Sequence, residues 1–516
     1  MEKVILSIDC GTQSLRALLY SQNGDLIERV QIKYDPYFSP KPGWAEQDSE
    51  IYWQSLCNAC KSLKEKNPDA FGKIEGVGVT TIRDTWVNVD QDGNPLRTVI
   101  HWLDQRKAKK VYFPNVLIKL GLKAVGMAEV LDKIQKDSKC NWIRQNQPEI
   151  WEKTYKYMQI SGFLNFKLTG QFADSVASQI GHVPFDYKKM KWSSKGELNY
   201  SLCPIEKEKL LDIVTPGELL GKITKKASEL TGISEGIPVI ACGSDRGCET
   251  IGMGVVNQKM ANLGFGTIAT VQTTSKKFFE PRRFLPPYPA PIPDHYNFEI
   301  DVYRGYWMVT WFKEEFAYKE ILEAEEKGII PEEVLNNLLG QAPAGSMGLV
   351  VQPYWGPGLK TLEAKGAMIG FGSIHKKSHV YRAVIEGLGY ALLDGLKQLE
   401  RAGKEKVEKV TVAGGASQSD EICQINADIF NLPLVRGKTH ETSGLGAAIV
   451  TSAGLGIHSS FEAAINTMVK YDTVFEPNPQ NVEVYQEIYN GIYKNMYKSL
   501  KPYYEKIRDI TGYPEK

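Results

Sequence analysis

The chain has 516 residues, a formal net charge of +1, and 24% charged against 42% hydrophobic residues. That length is too great for one hydrophobic core, so at least two domains are expected. The balanced charge excludes a global field for nucleic acid or an anionic membrane, and no apolar run is long enough to span a bilayer.

No charged-then-apolar leader opens the chain, so the cytoplasm is the expected compartment. Eight cysteines in this length do not make a disulfide scaffold. Cys57 and Cys60 form a CxxC in a predicted helix, but no second Cys or His pair stands nearby to complete a zinc site. They are expected to be small core residues.

In chain order, VILSIDCGTQSLRALLY (Val4 to Tyr20) comes first. Its apolar alternation predicts a buried strand ending in Asp9, then a polar turn, Cys10 to Ser14, and a second strand. Asn23-Gly24 marks a hairpin turn. A carboxylate at a strand end suits a hydrated divalent cation. Gly11 lets the backbone approach an anion, the Thr12 and Ser14 hydroxyls can bind phosphoryl oxygens, and Arg16 adds a positive charge. An ordinary hairpin turn of the same composition is the alternative.

Asp48 is the expected N-cap of a helix carrying Ile51, Trp53 and Leu56. Ile74 to Ile82 reads as a strand that delivers Arg83, Asp84 and Trp86 at its end. Val99 to Arg106 makes a second strand-end cluster with Trp102 and Asp104. Carboxylates and guanidinium groups bond hydroxyls, and indole faces lie against C–H surfaces, so both clusters suit a polyhydroxylated ligand. Surface ion pairs beside core tryptophans are the alternative. Residues about 110 to 220 look mainly helical, with Gly170 as a C-cap and His182 as a structural or surface histidine.

IPVIACGSDRGCETIGMGV holds a short strand, Ile237 to Ala241, with Asp245 just beyond its end. A carboxylate there can take a proton from an incoming hydroxyl, and it can also cap the following helix. MANLGFGTIATVQTT (Met260 to Thr274) then repeats the opening design, with Gly264, Gly266 and Thr267 in its turn. This points to a duplicated hairpin, and a cleft between the two halves could grip a polyphosphate from both sides. The boundary falls near Met253 to Gln258, giving domains 1–254 and 255–516.

An aromatic helix is expected to start near Thr310, and Tyr354 to Lys365 reads as an ordered Gly-rich loop. His379 to Glu400 is a clear amphipathic helix in which Arg382 and Glu386 can pair. Val407 to Ala413 reads as a strand running into Gly414 and Gly415, where a flat ring or a phosphate could lie against the backbone. Glu441 to Gly456 is a small-residue helix, and the Lys- and Tyr-rich tail reads as a surface helix.

In this order the motifs resemble those of the FGGY carbohydrate kinases, a branch of the superfamily that includes hexokinase, actin and the heat-shock chaperone ATPases. SIDCGTQSLRA resembles the family's first phosphate motif, IHWLDQR its substrate loop, and CGSDRGCETIGMG its catalytic-aspartate segment. GFGTIAT resembles the second phosphate motif and VAGGASQS the adenosine motif. The resemblance implies an α/β fold of two ribonuclease-H-like domains around a central cleft. It implies ATP and Mg2+, with Asp245 as general base and Asp9 and Asp245 at the metal. Gly11, Thr12, Gln13, Ser14, Arg16, Gly266, Thr267, Thr310, Gly414, Gly415 and Ser419 would contact the nucleotide. Arg83, Asp84, Trp102 and Asp104, with Asp245, would hold the sugar.

The segment TTIRDTW carries an Arg-acidic pair like that of the glycerol kinase branch, and it lacks the Met-His pair typical of xylulokinases. Arg246 follows the base where glycerol kinases usually carry glutamine. The expected substrate is a ketopentose such as xylulose or ribulose, with glycerol or another polyol as the alternative. No nucleic-acid or membrane partner is expected, and a homodimer is compatible with this reading. Two other classes stand against it. One is an actin- or chaperone-like ATPase that acts on protein partners and needs no sugar for turnover. The other is a kinase-like sensor without turnover.

Overall fold

The opening stretch folds as expected. Its alternating apolar residues form strand β1 (Val4–Cys10), buried along its whole length, which turns back antiparallel into β2 (Ser14–Ser21). The Asn23-Gly24 turn, with Gly24 at φ +81°, leads to β3 (Leu26–Lys33) on the outer side of β2. On the other side, β1 pairs in parallel with β4 (Ile74–Thr81). Strands β5 (Leu219–Lys222) and β6 (Pro238–Ile240) complete a six-stranded sheet of order β5-β6-β4-β1-β2-β3. The computed structural model describes residues 3–114, 116, 120–122, 127–282, 285–356 and 363–513.

The second half repeats this plan. Strands β7 (Met260–Phe265), β8 (Ala269–Ser275) and β9 (Tyr296–Val302) run antiparallel in succession. β10 (Lys409–Ala413) and β11 (Leu434–Gly437) add in parallel on the far side of β7. Each sheet then ends in an antiparallel edge strand, β5 in the first and β12 (Tyr471–Phe475) in the second. The duplicated hairpin is therefore the visible part of a duplicated sheet, and the chain is α/β with two such sheets.

Helices cover the sheet faces. α1 (Glu50–Lys66) buries Tyr52, Leu56, Cys57 and Cys60 against the first sheet, so the CxxC is core. Its N-cap position is Ser49, one residue later than expected, while the Asp48 carboxylate still accepts the Glu50 N–H at 2.9 Å. α2 (Asp245–Gly252) leads out of the first half, and α3 (Trp307–Phe316) starts three residues before Thr310. α4 (Lys377–Gly403) crosses the second sheet and carries the expected Arg382–Glu386 pair at 2.8 Å. α5 (Asp420–Phe430) follows β10. Between residues 127 and 220, helices alternate with short strands, and Gly170 ends one helix in the left-handed conformation. Within the Gly-rich loop, residues 357–362 lie outside the described residues.

The tail is helical and largely exposed, as expected, with one buried stripe. Its helices bury Tyr485, Tyr489, Tyr493 and Tyr504, and the Tyr485 hydroxyl accepts from Arg382 at 2.7 Å. The first three of these rings belong to the second core and meet Tyr390 of α4, while the Tyr504 hydroxyl donates to Gln352 at 2.6 Å.

α6 (Thr442–Gly454) follows the parallel strands of the second sheet but packs on the first. Leu445, Ala448 and Ile449 share a cluster with Ile5, Leu18, Tyr20 and Ile251. The Ser7 hydroxyl donates to Gly444 O at 2.8 Å, and the Tyr20 hydroxyl to Glu441 O at 3.1 Å. The approach of α6 to α2 depends on glycine. A Cβ on Gly446 would strike the Cys248 backbone, and one on Gly252 would strike the Thr442 backbone. Backbone atoms cannot swing aside as a flexible side chain can. Gly446→Ala is expected to lower the unfolding free energy by about 1–3 kcal/mol in urea melts. Gly491→Ala, where an added Cβ would meet nothing within 4 Å, should change it by no more than about 1 kcal/mol.

Candidate active site

The two hairpin turns face one cleft of about 1260 Å³. Gly11, Thr12, Gln13, Ser14 and Arg16 line it from the first half, and Gly264, Gly266, Thr267 and Gly414 from the second. The first turn closes through a Gly11 N–H bond to Ser14 O at 2.9 Å. Gly414 sits at φ +97° where a Cβ would press on the Phe265 backbone, so no other residue fits there without strain. Trp102 also lines the cleft, and its indole N–H donates to the Thr12 hydroxyl at 3.1 Å. That bond ties the second aromatic cluster to the phosphate-type turn.

Asp9 and Asp245 both come from the carboxyl edge of the first sheet. Asp9 is in register with Thr80 of β4, and Thr81 bridges in parallel to Ser244. Ser244, not Asp245, is the N-cap of α2, its hydroxyl accepting the Gly247 N–H at 3.3 Å. Asp245 is the first helical residue and lines the cleft. Burial raises its pKa, while Arg83 and Arg246 oppose the rise. Burial also raises Asp9, to about 6, against the pull of Arg16 at 3.1 Å, and the charges of Asp245 and Glu441 add to the rise. Arg16 reaches Glu441 at 3.5 Å, and Arg29 holds the other oxygen of Glu441 at 2.6 Å. A buried carboxylate in this state is a competent proton acceptor for a hydroxyl, and two of them within each other's field favour a dication.

The sugar-side candidates separate into two groups. Arg83 makes a forked pair with Glu299 at 2.9 and 3.1 Å, and its guanidinium lies 5.3 Å from the Tyr288 ring. Arg246 bonds the same Glu299 and also Asp301, the latter at 2.6 Å. Arg83 is thereby linked to the neighbour of Asp245. Asp84 is held well below the usual carboxyl range, despite burial, by Lys139 at 2.6 Å and His182 at 3.0 Å. His182 is thus a partner of a candidate residue rather than a mere surface group.

Asp104 turns away from any ligand. Its oxygens take the Arg106 guanidinium at 2.7 and 2.8 Å and the Ala45 N–H at 2.6 Å, and its side chain is 1% exposed. Among the described residues, Asp9, Arg83, Asp84, Thr310, Gly415 and Ser419 also stand outside the cleft lining. Ser419 caps α5, accepting the Ile422 N–H at 3.2 Å.

Three carboxylates escaped the sequence reading, Glu249 in the cleft lining and Glu299 and Asp301 in a smaller pocket joined to it through Arg246. Glu249 lies one helical turn beyond Asp245, a spacing that places both on one face of α2. Glu299 and Asp301 alternate with buried Phe298, Ile300 and Val302 along β9, a pattern legible as an acidic strand face.

The N-terminal domain model of the FGGY family of carbohydrate kinases matches residues 4–252, and the C-terminal model matches residues 260–455. The chain belongs to this family. It is an ATP-dependent carbohydrate kinase whose acceptor is a small sugar or polyol, and this decides against a partner-binding ATPase. An uncharacterized sugar kinase of Escherichia coli is 28% identical over 94% of this chain and 91% of its own. The xylulose kinase of Staphylococcus epidermidis is 28% identical over 94% and 95%. The gluconate kinase structure from Lactobacillus acidophilus superposes with a TM-score of 0.83 at 24% identity, covering 98% of this chain and 100% of the other. Its two-domain fold is that of this chain. No described helix is long and apolar enough to cross a membrane.

Glu249 yields a pH test. Burial, reinforced by Asp245, raises its pKa to about 7, while Arg246 and the Asn262 amide at 2.9 Å oppose the rise. The folded state therefore holds this proton more tightly than the unfolded chain does, and stability falls as pH rises from about 4.5 through 7. Glu249→Gln is expected to raise stability at pH 8 by about 1–3 kcal/mol and to change it little at pH 5, measured by urea melts. An equal change at both pH values would remove the ionised carboxylate as the cause.

Proposed function

We propose that the enzyme transfers the terminal phosphoryl group of ATP to a hydroxyl of a ketopentose such as xylulose or ribulose. The observation that carries this is the position of Asp245 in the cleft between the two Gly-Thr turns. Asp245 accepts the proton of the attacking hydroxyl. The backbone and hydroxyl donors of Gly11 to Ser14 on one side, and of Gly266 and Thr267 on the other, hold phosphoryl oxygens, with Gly414 bordering the nucleotide. Arg83, Trp102 and, through its ion pairs, Asp84 shape the sugar end. Asp104 acts at one remove, by fixing Arg106 and the loop at Ala45.

Asp9 and Asp245 fit Mg2+, because both are buried carboxylates and the charge of Asp245 already raises Asp9. When bound, the ion supplies positive charge that offsets the phosphates. Phosphoryl transfer rests on such positioning and charge balance more than on covalent help. The halves 1–254 and 255–516 are read as the sugar-side and nucleotide-side units, with α6 joining them. Eight free, buried cysteines suit the cytoplasm. A homodimer is compatible with this arrangement.

The name of the Staphylococcus relative supports a ketopentose. Glycerol or another polyol is the second reading, favoured by the Arg83-Asp84 pair. A coupled ADP assay over pentuloses, polyols and glycerol decides between them. Asp245→Asn is expected to lower sugar-dependent ADP formation by about 10²–10⁴-fold with nucleotide affinity little changed. Normal turnover in that variant would remove the base assignment. ADP formation of equal rate without sugar would remove the kinase reading.

A further inference from the structure

The family includes enzymes named for neutral sugars and for the sugar acid gluconate. We propose that Glu299 and Asp301, which line the neighbouring pocket and hold the cleft residue Arg246, set the sugar end to take uncharged sugars and polyols and to reject aldonates, an inference that rests on the kinase reading above.

An aldonate carries a carboxylate that must enter a largely desolvated site. It needs a cation whose charge is not already matched, ideally a guanidinium offering two parallel N–H bonds. This site has two guanidinium groups near the base, Arg83 and Arg246, and both are committed. Glu299, with a side chain only 3% exposed, takes the fork of Arg83 with both oxygens and accepts from Arg246 as well. Asp301 takes a second bond from Arg246 at 2.6 Å. Asp245 brings a third carboxylate into the same field, since Arg83, Arg246 and Glu299 all act on its pKa. Two cations thus face three carboxylates. Lys139 is likewise committed, to Asp84, and the other cations of the cleft lining are Arg16, Lys33 and Arg304, beside the hairpin turns.

The geometry of β9 makes this arrangement rigid. Phe298, Ile300 and Val302 anchor one face of the strand in the second core, so Glu299 and Asp301 project from the other. Tyr288, in a short strand paired to β9, lies under the Arg83 guanidinium. Hydrogen-bonding capacity nevertheless remains for hydroxyls. A guanidinium has five N–H donors, and the fork to Glu299 uses two of those on Arg83. Charge is matched while donors are left over, which is the condition for binding neutral hydroxyls and excluding an anion.

The test compares D-xylulose, D-ribulose and D-gluconate in one coupled ADP assay. Wild type is expected to show kcat/KM for gluconate at least ~100-fold below that for the better ketopentose, because unmatched like charges oppose the acid. Glu299→Gln keeps the side-chain shape and removes one negative charge. It should raise kcat/KM for gluconate about tenfold or more and lower that for the ketopentose, with KM for ATP unchanged. A purely structural role would lower both sugars by the same factor, and that result overturns the proposal. So does a wild-type enzyme that uses gluconate as well as ketopentose. Should Glu299→Gln fail to fold, Asp301→Asn, at a side chain 25% exposed, must shift the same ratio in the same direction. If none of the three supports turnover, the ketopentose reading fails separately. The charge preference is then read by calorimetric titration with D-xylulose and D-gluconate, where equal or absent binding overturns it and neutral-only binding sustains it.

Discussion

Two carboxylates, Asp9 and Asp245, stand at the edge of one sheet close enough for the charge of one to change the protonation of the other. Burying such a pair is unfavourable unless opposite charge is supplied. The surrounding structure supplies part of it. Arg16 bonds Asp9 and spans to Glu441, while Arg83 and Arg246 flank Asp245. The turns on both sides present glycine backbone and hydroxyls, with Lys33 and Arg304 also in the lining. The site is built to be completed by its charged reactants. The same wall shows how far environment separates chemically identical groups. Asp84, fixed by Lys139 and His182, stays ionised, whereas Asp245 is pushed toward protonation.

What could be read from the sequence was what short-range pattern encodes. The strand-turn-strand at Val4 to Tyr20 and its repeat at Met260 to Thr274 follow from apolar alternation interrupted by Gly-Thr turns. Asp245 stood out because a short buried strand ends just before it. One helix start was placed a residue early, at Asp48 for Ser49, although the Asp48 carboxylate still accepts the Glu50 N–H, and helix ends are defined only to within a residue or two.

Partners far apart in the chain were not legible. Asp104 looks like a ligand-binding acid until Arg106 and the Ala45 N–H, 59 residues away, claim both oxygens. Glu299 lies 216 residues from Arg83, and nothing local marks it as the group that holds that arginine. Tyr485, Tyr489 and Tyr493 recur every fourth residue, a helical stripe, but nothing local says that α4 and the second core would cover it. Residue type announces chemistry, but the choice between ligand and internal partner is made by the fold.

The placement of α6 bears on how the protein is made. Ile5, Leu18 and Tyr20 leave the ribosome early, yet the helix that covers them ends only at Gly454. During synthesis that face of the first sheet stays open through most of elongation, an apolar surface with no permanent cover and a natural client for a holding chaperone. The first half does not close its own core, because α6 supplies the cover. Fragments cut at the midpoint of the chain should be insoluble alone and become soluble when co-expressed, because the missing wall of one is carried by the other.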